Sequence, residues 1–136
     1  MKKNILRSKI IKIFKKHKLS ENHSKICADY LIKAELVEAK SHGLTRLKMY
    51  CDRIKKKLIN PKPNIKIKRI SSSISHINAD NSIGFVSANI GISQAIKSAK
   101  KTGIGLVGIK NSGHFGLSSF YAEQAVKKNL IVFCFT

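Results

Sequence analysis

The sequence predicts an α/β fold: an amino-terminal helical segment followed by strands and a β-α-β unit of an incomplete, mainly parallel sheet. Three observations carry that expectation. Apolar residues recur at helical spacing up to the loop Asn60-Pro61-Lys62-Pro63-Asn64. Alternation then begins at Ile65. Beyond Gly84 a helix-like stretch closed by Gly103 leads into an unbroken apolar run, and strand, helix, strand in that order implies parallel pairing with a right-handed crossover.

Each element follows from its pattern. Over residues 4–17, Leu6, Ile10, Ile13 and Phe14 form an apolar stripe among lysines, as in a short amphipathic helix with a solvated basic face. Ser20 is a plausible N-cap with Glu21 in the first turn, and Ile26, Cys27, Tyr30, Leu31 and Ala34 continue a second helix to about Ala39. After the break at Ser41-His42-Gly43, a third helix is expected over 44–58, with Leu47, Tyr50, Cys51, Ile54 and Leu58 inward. Residues 65–70 read as a half-exposed strand and 75–80 as a short second one. Residues 84–101 read as a helix, 104–110 as a buried strand, 117–129 as a helix and 130–136 as another buried strand. An apolar strand with no polar tail after it reads as a chain cut short, as a truncated piece or as the product of a decayed gene.

Composition narrows the class. A chain of 136 residues with 43% hydrophobic content suits one compact domain. Its apolar runs are strand-sized, far below the roughly 20 residues of a membrane span. Lysines at 9, 12, 15 and 16 interrupt what a signal peptide would keep apolar, so the chain reads as soluble and cytoplasmic. Cys27, Cys51 and Cys134 are far apart, without zinc or disulfide spacing, and read as small buried residues of a reducing compartment. No metal site is expected.

The formal charge of +20 points first to nucleic acid. Yet of 27 basic residues only Arg7, Arg46, Arg53 and Arg69 carry the guanidinium fork that reads bases and phosphates. The lysines are spread over every helix, and Lys, Ile and Asn together reflect A/T-rich codons. A basic nucleic-acid-binding protein therefore stands as the alternative rather than the leading reading.

Residues 103–108, Gly-Ile-Gly-Leu-Val-Gly, match G-x-G-x-x-G in text only. A dinucleotide-binding loop needs those glycines after a strand and opening a helix, whereas here they close a helix and enter the next strand. Two histidines are better placed. His42 lies in Ser41-His42-Gly43, and His114 lies in Asn111-Ser112-Gly113-His114-Phe115-Gly116, at the carboxyl end of a strand and ahead of a helix, where open α/β sheets bind ligands. Flanking glycines admit close backbone approach, and an imidazole exchanges protons near neutral pH. Arg46, four residues after His42, can project beside it and hold a carboxylate bidentately. His17, His23 and His76 sit in ordinary contexts and are expected to be solvated.

Ala34-Glu35, Ser41-His42-Gly43-Leu44-Thr45-Arg46 with Tyr50, Ile59-Asn60-Pro61-Lys62-Pro63 and Asn111-Ser112-Gly113-His114-Phe115-Gly116 together resemble the malate/L-lactate dehydrogenase family, which also includes ureidoglycolate dehydrogenases. The resemblance covers essentially the whole chain. It implies the family's own fold, not a Rossmann fold, with residues 1–64 as the amino-terminal helical segment and 65–136 as the truncated start of the NAD(P)-binding region. It implies an oxidoreductase moving a hydride between NAD or NADP and a small 2-oxo or 2-hydroxy acid, as a homodimer when full length. By it His114 is the proton donor and acceptor, while His42 and Arg46 line the substrate and nicotinamide pocket. The chain departs from the family at Val37-Glu38, where an Arg-Gly pair is usual, so a helix end is expected to differ. Because the family chain extends far beyond Thr136, this length alone is expected to be inactive.

Overall fold

A computed structural model describes residues 2–136. Its elements are α1 (Lys2–Lys16), α2 (Glu21–Leu36), two single 3₁₀ turns (Lys40–His42 and Leu44–Arg46), α3 (Leu47–Lys55), β1 (Lys66–Arg69), β2 (Ile74–Ser82), α4 (Gly84–Thr102), β3 (Leu106–Ser112) and α5 (Ser119–Val126). The α/β class and the order of elements agree with the sequence reading.

The helical segment is assembled around α2. Ser20 caps it, its hydroxyl accepting from the His23 N–H at 3.2 Å, which in such positions contributes about 1 kcal/mol. Ile10 and Phe14 of α1 are fully buried, whereas Leu6 and Ile13 flank the stripe half exposed. On the outer side Arg7 grips Asp29 with two hydrogen bonds of 2.5 and 2.8 Å, fixing α1 along α2. The core continues through Leu31, Tyr50, Ile54, Phe85, Val86, Phe120 and Tyr121, so the helices and the β-α-β unit share one apolar interior.

The helix ends follow a common geometry. Lys18, Glu38, Lys57 and Asn129 all have positive φ just after a helix. In each case the following N–H reaches back five residues: Leu19 to Phe14, Ala39 to Ala34, Leu58 to Arg53 and Leu130 to Ala125. These are Schellman terminations without the usual glycine. Only α4 ends on one, Gly103 at φ 84°.

The sheet has the order β1-β2-β3. β1 pairs antiparallel with β2 from Lys66 opposite Asn78 to Arg69 opposite Ser75. β2 pairs in parallel with β3, and α4 is the crossover between them. The described sheet is therefore mixed rather than mainly parallel. β2 bulges between Asn78 and Ser82, with Asp80 and Asn81 at positive φ. The turned Asp80 carboxylate accepts from Asn60 Nδ2 at 2.9 Å and from the Asn64 N–H at 2.8 Å, anchoring the proline loop to the sheet.

Several expectations need correction. α3 is shorter than 44–58, and Leu58 is 63% exposed because the chain has already turned at Lys57. β3 begins at Leu106, and most of its residues are exposed, since it is the sheet's edge among the described residues. Residues 130–136 form no strand: Leu130 and Val132 pack against the core, while Ile131, Phe133 and Phe135 are exposed. Cys134, expected to be buried, lies on the same open stretch, whereas Cys27 and Cys51 are buried. His17 and His23 are half buried, and of these three only His76 is exposed as expected.

Candidate active site

The Ser41-His42-Gly43-Leu44-Thr45-Arg46 segment folds as two consecutive 3₁₀ turns, not as the start of an α-helix. Its pin is Glu35, near the end of α2, whose carboxylate accepts the Leu44 N–H at 2.6 Å. A Cβ at Gly43 would run into that carboxylate, so any larger residue would have to displace the Glu35 side chain from the Leu44 N–H. Thr45 Oγ1 donates to the Lys40 carbonyl at 2.6 Å, and Arg46 Nε donates to the Ser41 carbonyl at 2.6 Å, tightening both turns. Part of the Arg46 guanidinium is thus spent on the backbone, with Nη1 set 3.6 Å from Met49 Sδ. It forms no ion pair with a carboxylate among the described residues.

The His114 loop leaves β3 at Ser112 and passes over the first turn of α4. There the Gly113 N–H donates to the Ser82 carbonyl at 3.2 Å. A Cβ on Gly84 would collide with the backbone of Gly113 and His114. Gly116, at φ 78°, seats its backbone against the Phe85 ring. Tyr121 donates to the Phe115 carbonyl at 2.5 Å and ties the far side of the loop to α5.

These two segments meet. The His42 and His114 rings lie 5.7 Å apart, 29° from parallel, and both line an open cleft of about 480 Å³ together with Ser112, Phe115 and Cys134. The fold therefore unites the two histidines singled out from the sequence, whereas Arg46 is not among the residues lining the cleft, although its charge acts on His114. Partial loss of hydration lowers the pKa of His114 first, and the positive charges of His42, Arg46 and Arg53 lower it further. Its ring is thereby biased towards the neutral form at pH 7.

One partner escaped the sequence reading. Tyr50 Oη and His114 Nδ1 share a 2.8 Å hydrogen bond. Tyr50 is only 1% exposed and its ring packs on Phe85 at 5.1 Å. Burial raises its phenol pKa above the ordinary range, so it stays protonated. Helical spacing marked Tyr50 as core, which it is, and the family motif included it, but neither announced the hydroxyl's partner, 64 residues away. Glu35 was likewise visible only as part of a motif.

Malate dehydrogenase from Pyrococcus horikoshii superposes with a TM-score of 0.89 at 38% identity, over 93% of this chain and 36% of that one. The chain belongs to the malate/L-lactate dehydrogenase family, whose model matches residues 1–136. Among its relatives, the malate/(S)-sulfolactate dehydrogenase of Methanothermus fervidus is 41% identical over 125 residues, 92% of this chain and 37% of the relative. The NAD(+)-dependent ureidoglycolate dehydrogenase of Escherichia coli O157:H7 is 34% identical over 113 residues, 83% and 32% respectively. The chain spans about a third of the length of these curated relatives. None of the comparisons supports the nucleic-acid alternative.

Proposed function

We propose that this chain supplies the proton-transfer and carboxylate-binding side of a dehydrogenase that interconverts a small 2-oxo acid and its 2-hydroxy acid. The observation that carries the reading is the His42–His114 pair, 5.7 Å apart on one cleft, in a chain of this family. NAD or NADP is the cofactor, and when bound it supplies or accepts the hydride. The cleft fits its reacting end: two imidazoles and glycine-flanked backbone surround a space that takes a nicotinamide-sized ring beside a small acid. The G-x-G-x-x-G text at 103–108 offers no pyrophosphate cradle, because it lies at the end of α4 and in β3.

In the reductive direction, hydride addition to the 2-oxo carbon places negative charge on its oxygen, and His114 delivers a proton there from Nε2. The ring ends neutral and regains a proton from water at the exposed cleft wall. One 2-oxo acid, one hydride and one proton become one 2-hydroxy acid. Arg46 holds the substrate carboxylate through the guanidinium nitrogens not used on Ser41, and His42 forms the facing wall, where it would line the nicotinamide pocket. In the oxidative direction the lowered His114 pKa is an advantage, since the neutral ring is the base required.

Residues 1–64 act here as the helical segment and 65–136 as the beginning of the NAD(P)-binding region. The complete subunit works in the cytoplasm as a homodimer, on an acid of the malate, lactate, sulfolactate or ureidoglycolate kind. These assignments rest on the family and on cysteines without disulfide partners.

The test is a fusion of residues 1–136 to the remaining two thirds of the Methanothermus fervidus relative. His114→Asn and His114→Ala are expected to cut turnover about 10²- to 10⁴-fold while NAD(P)H binding, followed by fluorescence, persists. Arg46→Lys chiefly raises KM for the acid, because a point charge replaces a fork. Turnover near the parent value in both His114 variants removes this residue from the reaction. The 136-residue chain assayed alone is expected to show no dehydrogenase activity.

A further inference from the structure

The hydrogen bond between Tyr50 and His114 joins the two halves of the cleft, and it is built rather than incidental. Tyr50 comes from α3, is locked by packing against Phe85, and reaches Nδ1 of the His114 ring. His42 covers one face of the same ring. The backbone beneath is fixed by the contact of Gly84 with Gly113 and His114. Such a second partner on a histidine sets which nitrogen is free to react.

We infer that Tyr50 is a positioning residue: its hydroxyl oxygen accepts from His114 Nδ1–H, keeps the proton of the neutral ring on that nitrogen, and leaves Nε2 to give and take the reacting proton in the cleft. The inference rests on the reading of His114 as the proton donor and acceptor. Nδ1–H donates to the Tyr50 hydroxyl oxygen both when the ring is an imidazolium and when it is neutral, so the proton that comes and goes is the one on Nε2. A hydroxyl oxygen accepts that bond, whereas a backbone N–H in its place would donate and force the proton of the neutral ring onto Nε2. No proton leaves Tyr50 in either direction, in keeping with its buried, protonated phenol.

Tyr50→Phe removes this oxygen and leaves the ring that packs on Phe85. In the 136-residue chain, ¹⁵N NMR of the histidine side chains reads the contact directly. The expected result is that the His114 Nδ1 resonance of the neutral ring moves downfield in Tyr50→Phe, as the proton held on Nδ1 in the parent is partly shared to Nε2, with the melting temperature little changed. An unmoved Nδ1 resonance in a folded Tyr50→Phe chain overturns the inference. In the fused enzyme, Tyr50→Phe is expected to lower kcat about three- to tenfold with KM for the acid unchanged, the usual scale for one hydrogen bond. Added to His114→Asn, it is expected to cost nothing more, because its action passes through the imidazole. An equal loss in both backgrounds overturns the positioning role. A His114→Asn enzyme that retains full activity counts against the proton-transfer reading instead, and the NMR result stands apart from it.

Discussion

At position 114 the family motif supplied the residue, and the fold supplied its state. His42, His114 and Arg46 were legible as a group, because glycine-flanked imidazoles at element breaks and an arginine one turn away are local signals. Their mutual distance was not local, and neither was the Tyr50 hydroxyl. The same distinction governs the remaining histidines. His23 looked solvated among polar neighbours, yet burial against the helices lowers its pKa, as it does that of His114. For such groups the unfolded chain binds protons more readily than the folded one at pH values just below about 6.5, the ordinary histidine value. Their contribution to stability is therefore complete above that value and is lost as pH falls through the lower folded-state values. The carboxylates of Glu21, Asp52 and Glu123, all lowered by lysine partners, extend the loss to more acid pH. Thermal melts of His23→Gln and the parent chain should show a shallower decline for the variant between pH 6.5 and 5.5. Parallel curves would mean that the His23 ring is as well hydrated in the folded chain as in the unfolded one.

Among the elements, periodicity located every helix and the β-α-β order, but the ends were misplaced where the stopping device left no mark. A Schellman turn is commonly signalled by glycine, and here Lys18, Glu38, Lys57 and Asn129 occupy the left-handed position. Hence α2 was carried on to Ala39 and α3 to Leu58, past turns that the backbone makes with ordinary side chains. Glu38 is the informative case. At φ 58° it stands where relatives of this family are expected to carry glycine, and it forms no ion pair among the described residues. The termination survives the substitution, with Glu38 N–H on the Glu35 carbonyl and Ala39 N–H on that of Ala34. The left-handed conformation costs a side-chain-bearing residue about 1 kcal/mol, partly offset by the greater unfolded freedom of glycine. Glu38→Gly should accordingly stabilise the chain by roughly 0.5–1 kcal/mol in urea denaturation, whereas Glu38→Val should destabilise it. The strand errors have another origin: apolar runs at 104–110 and 130–136 report a demand for burial, and a pattern cannot say what will meet that demand.

Across the whole molecule, the core is continuous from α1 to α5, yet the face of β3 and the 130–136 stretch display Ile104, Leu106, Ile131, Phe133 and Phe135. An unpaired strand edge and exposed aromatic residues each promote association. In sedimentation at increasing concentration the 136-residue chain should self-associate and bind a hydrophobic dye. The pair Ile131→Lys and Phe133→Lys should reduce both without shifting the melting temperature by more than a degree or so, since neither side chain is buried. Unchanged association would move the sticky surface elsewhere. The junction of Tyr50 with His114, by contrast, is sealed inside one chain, and its partners are 64 residues apart in sequence. No local fragment contains it. The imidazole pair is thus a gauge of completed folding: its NMR signature should vanish along the same denaturation curve as the helical circular dichroism, and if it vanishes earlier the sheet has come away from the helices while both persist.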